Sequence, residues 1–411
     1  MPTKRVVITG RGAVSPYGLG VKLLTEKVWQ NCSGIRLMPE WQEIKGLESH
    51  LAAPVPAIDS SQHLPRSLRR TMGDMALYAV LASREAAGEA GLEEETLTGG
   101  STGVAIGSTT GSPSVLEEFY QNYIPGKSIE EVRSGMFFKI MGHSCAANVC
   151  LALGIKGEQW SPASACTSAA QAIGMGYLLI KSGRQEIMLC GGADEAHPTV
   201  TMIFDVVKAA SRYAGDPILA PRPFDSRRDG VVCGGGSGIL VLESLESAQK
   251  RGADILGEIK GFGLVNDSQH IANPSRESIA RAMNGAMTEA GINYREIDYV
   301  NAHATGTVLG DIAEGTAIRE NLKETTPASS FKGHLGHTLG AAGSLEAIIL
   351  LEMLARQEIV PTLHLEEADP ELKGMDLVRE IRPQRMNCVL KNNFALGGVN
   401  TALLLKQWTG R

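Results

Sequence analysis

The sequence predicts an α/β protein built from two similar halves. Apolar runs rich in valine and isoleucine alternate with alanine-rich segments of helical period. The same alternation starts again near residue 250. No low-complexity tract or long flexible linker lies between the two runs, so both halves are expected to share one compact body.

In chain order, "RVVITG" (5–10) reads as a strand and "MGDMALYAVLASREAAGEAG" (72–91) as a helix. "TGVAIGS" (102–108) reads as a strand, "TSAAQAIGMGYLLIKSG" (167–183) as a helix, and "EIMLCGG" (186–192) and "GILVLES" (238–244) as strands. The polar stretch "LESAQKRGAD" joins the halves, which are expected to span 1–250 and 251–411. In the second half "ILGEIKGFGLV" (255–265) is a predicted strand and "ESIARAMNGAMTEAG" (277–291) a helix closed by glycine. "IDYVNAHAT" (297–305) follows as a strand, then the helix "AAGSLEAIILLEMLARQ" (341–357) and the strands "CVLKNNF" (388–394) and "TALLLKQ" (401–407). These strands are apolar almost throughout instead of alternating, which predicts burial on both faces.

The chain has 411 residues, 43% of them hydrophobic and 20% charged, which is enough for a large core. Its 47 glycines are dispersed through periodic segments, so they point to close packing and tight loops and not to disorder. A net charge of −6 argues against a general nucleic-acid-binding surface. No run of about 18 apolar residues predicts a membrane span. "MPTKRVVITGRG" lacks a long apolar core and reads as a first strand, not a signal peptide. Seven cysteines, an odd number with no CxxC, predict neither a disulfide framework nor a zinc site, and a reducing cytoplasm fits them best.

Cys166 in "SPASACTSAAQAIGMG" stands apart from the other thiols. It precedes a helix of small residues, where the positive end of the helix dipole favours thiolate. Backbone N–H groups there could also stabilise an oxyanion. His303 follows an apolar strand beside Thr305 and Thr307, and His337 lies in a glycine-rich turn before a helix. Taken singly, a buried cysteine or histidine is more often structural. Together they suggest a converging site. Neutral imidazoles can donate N–H bonds to a carbonyl that becomes an enolate, and a thiol can carry an acyl group as a thioester. That set suits carbon–carbon bond formation between two acyl thioesters. Two glycine-rich segments, "TGRGAVSPYGLG" and "RDGVVCGGGSGILVLE", lack the spacing or the strand-to-helix context of a nucleotide cradle.

From "RVVITGRGAVSPYG" to "NNFALGGVNTALLLK" the chain resembles the β-ketoacyl-acyl-carrier-protein synthases of the elongating type I/II group, within the thiolase-like superfamily. The resemblance implies a duplicated thiolase-like fold in five layers, α-β-α-β-α. It implies that Cys166 in "ACTSA" is the nucleophile and that His303 in "NAHATGT" and His337 in "KGHLGHTLGAAG" are the two active-site histidines. Lys332, five residues before His337, falls on the family's lysine. Asp311 and Glu314 match the acidic pair after the first histidine, and Glu346 the glutamate of the next helix. Thr305 and Thr307 would contact the phosphopantetheine arm of the acyl carrier protein. No metal and no cofactor of the enzyme's own is implied.

The implied partner, acyl carrier protein, is typically acidic. Arg66, Arg69 and Arg70 in "LPRSLRRTMG", with Lys208 and Arg212, are the candidate docking cations. The resemblance further implies a dimer, with "MFFKIMGHSCAAN" (136–148) near the interface and either an identical or a non-catalytic partner. Two rival readings are a non-catalytic chain-length partner, which usually lacks the cysteine, and a thiolase, which would need a second late thiol such as Cys388. Three departures bear on substrate choice. The family's "AHGTST" is "AHATGT", with Ala304 and Gly306; its "SFGFGG" is "NFALGG", with Phe394 kept and Ala395 and Leu396 new; its "GSGIGG" is "GSTTGS", with Thr110 at a position expected to line the acyl pocket. They suggest unsaturated or polyketide-like chains as an alternative to ordinary fatty acyl groups.

Overall fold

The computed structural model describes residues 3–130 and 132–410. Its first half contains β1 (Val6–Ser15), α1 (Asp74–Glu89), β2 (Thr102–Gly107), α2 (Pro113–Tyr123), β3 (Gln159–Trp160), α3 (Ser168–Lys181), β4 (Ile187–Asp194), α4 (Pro198–Val206) and β5 (Gly236–Ser244). The second half contains β6 (Gly257–Asn266), α5 (Arg276–Ala290), β7 (Tyr299–Asn301), α6 (Val308–Asn321), β8 (Ala328–Ser329), α7 (Lys332–Leu335), α8 (Ala342–Arg356), β9 (Cys388–Phe394) and β10 (Val399–Lys406).

Hydrogen-bonded neighbours run β8-β7-β9-β10-β6-β1-β5-β4-β2-β3. Read outward from the β1–β6 junction, the two arms have the same order. In each, a long strand pairs antiparallel with a second, the second with a third, and two parallel strands complete the arm. The arms meet over only a short stretch, Val6–Ile8 against Gly257–Ile259. The joint between them is itself helical, Leu245–Arg251, with the Ser244 hydroxyl capping its start and Gly252 in a left-handed conformation at its end.

α1 packs on the first arm and α5 on the second, while α3 and α8 lie between the arms and touch strands of both. The layers are therefore helix, sheet, helices, sheet, helix. Glycines set their closeness. A Cβ on Gly12 would lie 1.8 Å from the Ala82 carbonyl oxygen on α1, and one on Gly263 would lie 1.9 Å from the Ala282 carbonyl oxygen on α5. The middle helices are equally close, since a Cβ on Gly343 would lie 2.5 Å from the Ala170 nitrogen. The core strands are buried along nearly their whole length, as their unbroken apolar runs predict.

One strand is shorter than predicted. The run 297–305 leaves the sheet after Asn301, because the backbone N–H groups of His303 and Ala304 turn to the carboxylate of Glu314 instead of a neighbouring strand.

Candidate active site

Cys166 sits in a 3-10 turn, Ala165–Thr167, that runs directly into α3. Ala165 is held at φ 47°, a conformation that disfavours any side chain. The turn is pinned by Ser168, whose hydroxyl accepts from the Ser164 N–H at 3.0 Å and donates to the Ala165 carbonyl at 2.7 Å. The helix-end position is as the sequence suggests, but the ionisation is not. Burial pushes the thiol up to about 12, with the Lys332 ammonium opposing it. The resting group is a thiol, so the helix end does not by itself supply a thiolate and the proton must leave during attack.

His303 is delivered by β7. Glu314 on α6 holds it by accepting its N–H at 2.9 Å and that of Ala304 at 2.7 Å. His337 follows Gly336, which has φ 64° and no room for a Cβ beside Ala53. The His337 N–H donates to Val232 and its carbonyl accepts from Gly234. The two imidazoles meet edge to face with centroids 5.1 Å apart, and Phe394 flanks His303 at 5.7 Å. The Cys166 sulfur and a nitrogen of each histidine lie within 4.8 Å of one another. Burial, then the Lys332 charge, holds both histidines well below their ordinary value, so both are neutral. The His303 Nδ1 and both ring nitrogens of His337 are buried without a partner among the described residues. Neutral imidazoles with unspent donors, facing a thiol, are equipped to bind oxygen atoms that gain negative charge.

Behind the histidines lies a buried ionic cluster. Lys332 pairs with Glu346 Oε1 of α8. Lys391, in the middle of β9, pairs with Glu346 Oε2 at 2.6 Å and donates to Asn393 Oδ1 at 2.7 Å. Burial raises Glu346, but the two ammonium groups more than offset it and hold the carboxylate below its ordinary range. Lys391, Asn392 and Asn393 were not singled out from the sequence. The available signal was a charged residue inside an otherwise apolar strand, "CVLKNNF". A thiol and two imidazoles could also ligate a soft divalent ion, but two lysines against one carboxylate set positive charge against that use.

Asp311 and Glu314 are clamps. Asp311 accepts from the N–H groups of Phe224 and Gly306, and Glu314 from His303, Ala304 and the Asn392 side chain. Burial raises them to about 6 and about 7. Gly306, one of the departures noted above, has φ 89° and faces the Gly230 carbonyl, so this turn requires glycine.

A cavity of about 390 Å³ opens onto Cys166, His303 and His337, and Thr305, Thr307, Phe394, Leu396 and Lys208 also line it. Thr110 does not. It lies in a separate groove of about 660 Å³ with Leu116, Tyr120, Val200 and Ile203, between α2 and α4. The candidate docking cations divide as well. Arg66 and Arg70 are exposed, while Arg69 donates its Nε–H to the Leu64 carbonyl. Lys208 is exposed at the cavity mouth. Arg212 is tied to Glu48 at 2.5 Å and Asp205 at 3.0 Å, so much of its charge is already spent within the chain.

Residues 3–248 match the family "Beta-ketoacyl synthase, N-terminal domain" and residues 256–366 match "Beta-ketoacyl synthase, C-terminal domain". The chain belongs to the beta-ketoacyl synthase family. Among curated relatives, the 3-oxoacyl-[acyl-carrier-protein] synthase 1 of Haemophilus influenzae is 35% identical over 410 residues, covering 99% of this chain and 100% of the relative. The corresponding synthase 2 of Vibrio cholerae is 35% identical over 416 residues, covering 99% and 100%. A beta-ketoacyl synthase from Burkholderia phymatum superimposes with TM-score 0.95 at 40% identity, over 99% of this chain and 100% of that one. The ishigamide ketosynthase/chain length factor superimposes with TM-score 0.92 at 32% identity, over 99% and 100%. As in other beta-ketoacyl synthases the fold is the thiolase-like one. Among the described residues no helix is long and apolar enough to cross a membrane. Cys388 opens β9 and Phe394 closes it beside His303, so the late thiol stands roughly 20 Å along the strand from the histidines. It is in no position to serve as a second thiol of this site.

Proposed function

We propose that this beta-ketoacyl synthase carries out decarboxylative Claisen condensation between an acyl group and malonyl-acyl-carrier protein. The observation that carries the reading is the convergence of one buried thiol with two neutral imidazoles bearing unpartnered ring nitrogens at the floor of a cavity. The Cys166 sulfur attacks the acyl thioester, its proton passes to the departing carrier thiol, and the acyl group stays on Cys166. Malonyl-carrier protein then loses carbon dioxide, and the electron pair of the broken bond becomes an enolate whose oxygen accepts N–H bonds from His303 and His337. The enolate carbon attacks the Cys166 thioester. The 3-ketoacyl-carrier protein leaves, and the sulfur recovers a proton from solvent. Thr305 and Thr307 would contact the pantetheine arm in the cavity mouth. Lys332 holds Glu346 and keeps positive charge beside the histidines. The enzyme needs no cofactor of its own, because the phosphopantetheine belongs to the carrier protein. Incubation with acyl- and malonyl-carrier protein, followed by mass spectrometry of the carrier-bound product, tests the reading; a carrier-bound acyl group two carbons longer and bearing a 3-keto group is expected.

We assign the nucleophile to a half spanning 1–250 and both histidines to a half spanning 251–411, in a cytoplasmic enzyme. The carrier docks through Arg66, Arg69, Arg70 and Lys208, with a smaller share for Arg212, whose charge Glu48 and Asp205 already engage. Replacing Arg66, Arg69 and Arg70 together by Glu is expected to raise the apparent KM for acyl-carrier protein by roughly tenfold or more while turnover of a small pantetheine thioester holds. Unchanged carrier kinetics would remove this patch from the interface. The exposed Phe137 and Phe138 fit the expected dimer contact. The partner is a second copy or a related chain-length subunit.

A second reading, elongation of polyene or polyketide-type chains, is favoured by Leu396 at the cavity wall. It is partly exposed beside Gly397 and Gly398, both at positive φ. A leucine seals less of the opening than an aromatic ring. Leu396→Phe is therefore expected to shift loading of Cys166 toward short saturated acyl groups. Competition between a saturated and a conjugated acyl-carrier protein, read by the mass of the Cys166 adduct, checks this. Wild-type preference for saturated chains with no change in the variant would leave a plain fatty-acid elongation enzyme.

A further inference from the structure

Lys391 has no exposed surface and lies in the middle of β9, between Asn301 of β7 and Leu403 of β10. Its ammonium reaches Glu346 Oε2 at 2.6 Å, Asn393 Oδ1 at 2.7 Å and the Asn392 carbonyl at 3.4 Å. Lys332 takes the other oxygen of the same carboxylate. Two buried cations thus share one buried anion, and the field of both reaches His303 and His337. Leaving an uncompensated charge inside a protein is costly, so such an arrangement calls for a use.

We propose that Lys391 is a positioning residue of the condensation: it fixes Glu346 from the side opposite Lys332 and leaves the Lys332–Glu346–Lys391 triad with one net positive charge behind the histidines, where the enolate forms. The proposal rests on the decarboxylative reading above. The charge does two things. It disfavours protonation of the imidazoles, which keeps them neutral, and it lowers the energy of an anion held by their N–H groups. The charged and titratable groups acting on Lys391 are Glu346 on α8, Lys332 on α7 and Glu314 on α6. Burial, with Lys332 adding to it, lowers Lys391 to about 8. As pH rises through that value the ammonium is lost, the cluster becomes neutral, and decarboxylation should slow. Glu314, at about 7, titrates on the acid side of that limb.

The test is the pH dependence of carbon dioxide release from malonyl-carrier protein by the full-length enzyme. Wild type is expected to lose rate with a midpoint near pH 8. In Lys391→Arg the cation persists, because guanidinium stays protonated beyond pH 12, so the limb should move up by at least about one pH unit. Lys391→Met should remove the limb and lower the neutral-pH kcat by roughly tenfold, the scale of one partly screened charge, with KM for malonyl-carrier protein little changed. A wild-type profile flat between pH 7 and 9 would overturn the proposal, as would an arginine variant whose limb stays in place. Either result is readable if the methionine variant does not fold. If wild type releases no carbon dioxide at any pH, the reading of the reaction fails and the proposal with it. Release with an unmoved limb rejects the role of Lys391 alone.

Discussion

Cys166→Ala is expected to abolish covalent acyl loading and to lower condensation by roughly 10⁴-fold or more, since no other group can hold the acyl chain between the two half-reactions. The other cysteines offer no rescue. Among those near the site, Cys233 is fully buried and does not line the cavity onto which Cys166 opens. Malonyl decarboxylation should persist, because His303, His337 and the Lys332–Glu346–Lys391 cluster are untouched. Intact-mass spectrometry after incubation with acyl-carrier protein is the measurement. A normal acyl adduct on the alanine variant would end the assignment of the nucleophile.

His337→Ala is expected to slow decarboxylation by roughly 10²–10³, the usual scale for one donor to a developing oxyanion. The effect should be selective. Both ring nitrogens of His337 are unpartnered and its backbone alone bridges Val232 and Gly234, so the side chain can be removed without unpicking the turn. Loading of Cys166 should therefore survive better than carbon dioxide release. Equal loss of both half-reactions would give His337 a structural role.

The long apolar runs were legible because burial on both faces leaves few polar residues in them, and α1, α3, α5 and α8 carry helical period over three turns or more. The two-residue strands β3 and β8 were not, since their pairing depends on neighbours far along the chain. The truncation of β7 at Asn301 was hidden for the same reason: the competing acceptor, Glu314, is on another element. At the site, Cys166, His303 and His337 announce themselves through small residues and glycines that only close packing requires. Lys391 does not, because its meaning lies in a carboxylate 45 positions away. For Thr110 and Arg212 it is the surroundings that were not legible: Thr110 lies in the groove between α2 and α4, and Arg212 is engaged by Glu48 and Asp205, both set by residues distant in the chain.

Where α1 rides on β1 and α5 on β6, glycines on the strands bring main chain against main chain at Gly12 and Gly263. Side chains can change rotamer to absorb a shift; peptide planes cannot. The spacing of these layers is thus a fixed gauge, indifferent to what occupies the cavity. Accommodation of acyl groups of different bulk must then fall to the rim: the turn at Gly397 and Gly398, and the segment around Ile271 to which Gly397 is hydrogen-bonded. Selectivity in this enzyme can therefore be altered by changing a few residues at its lip while the body keeps its dimensions.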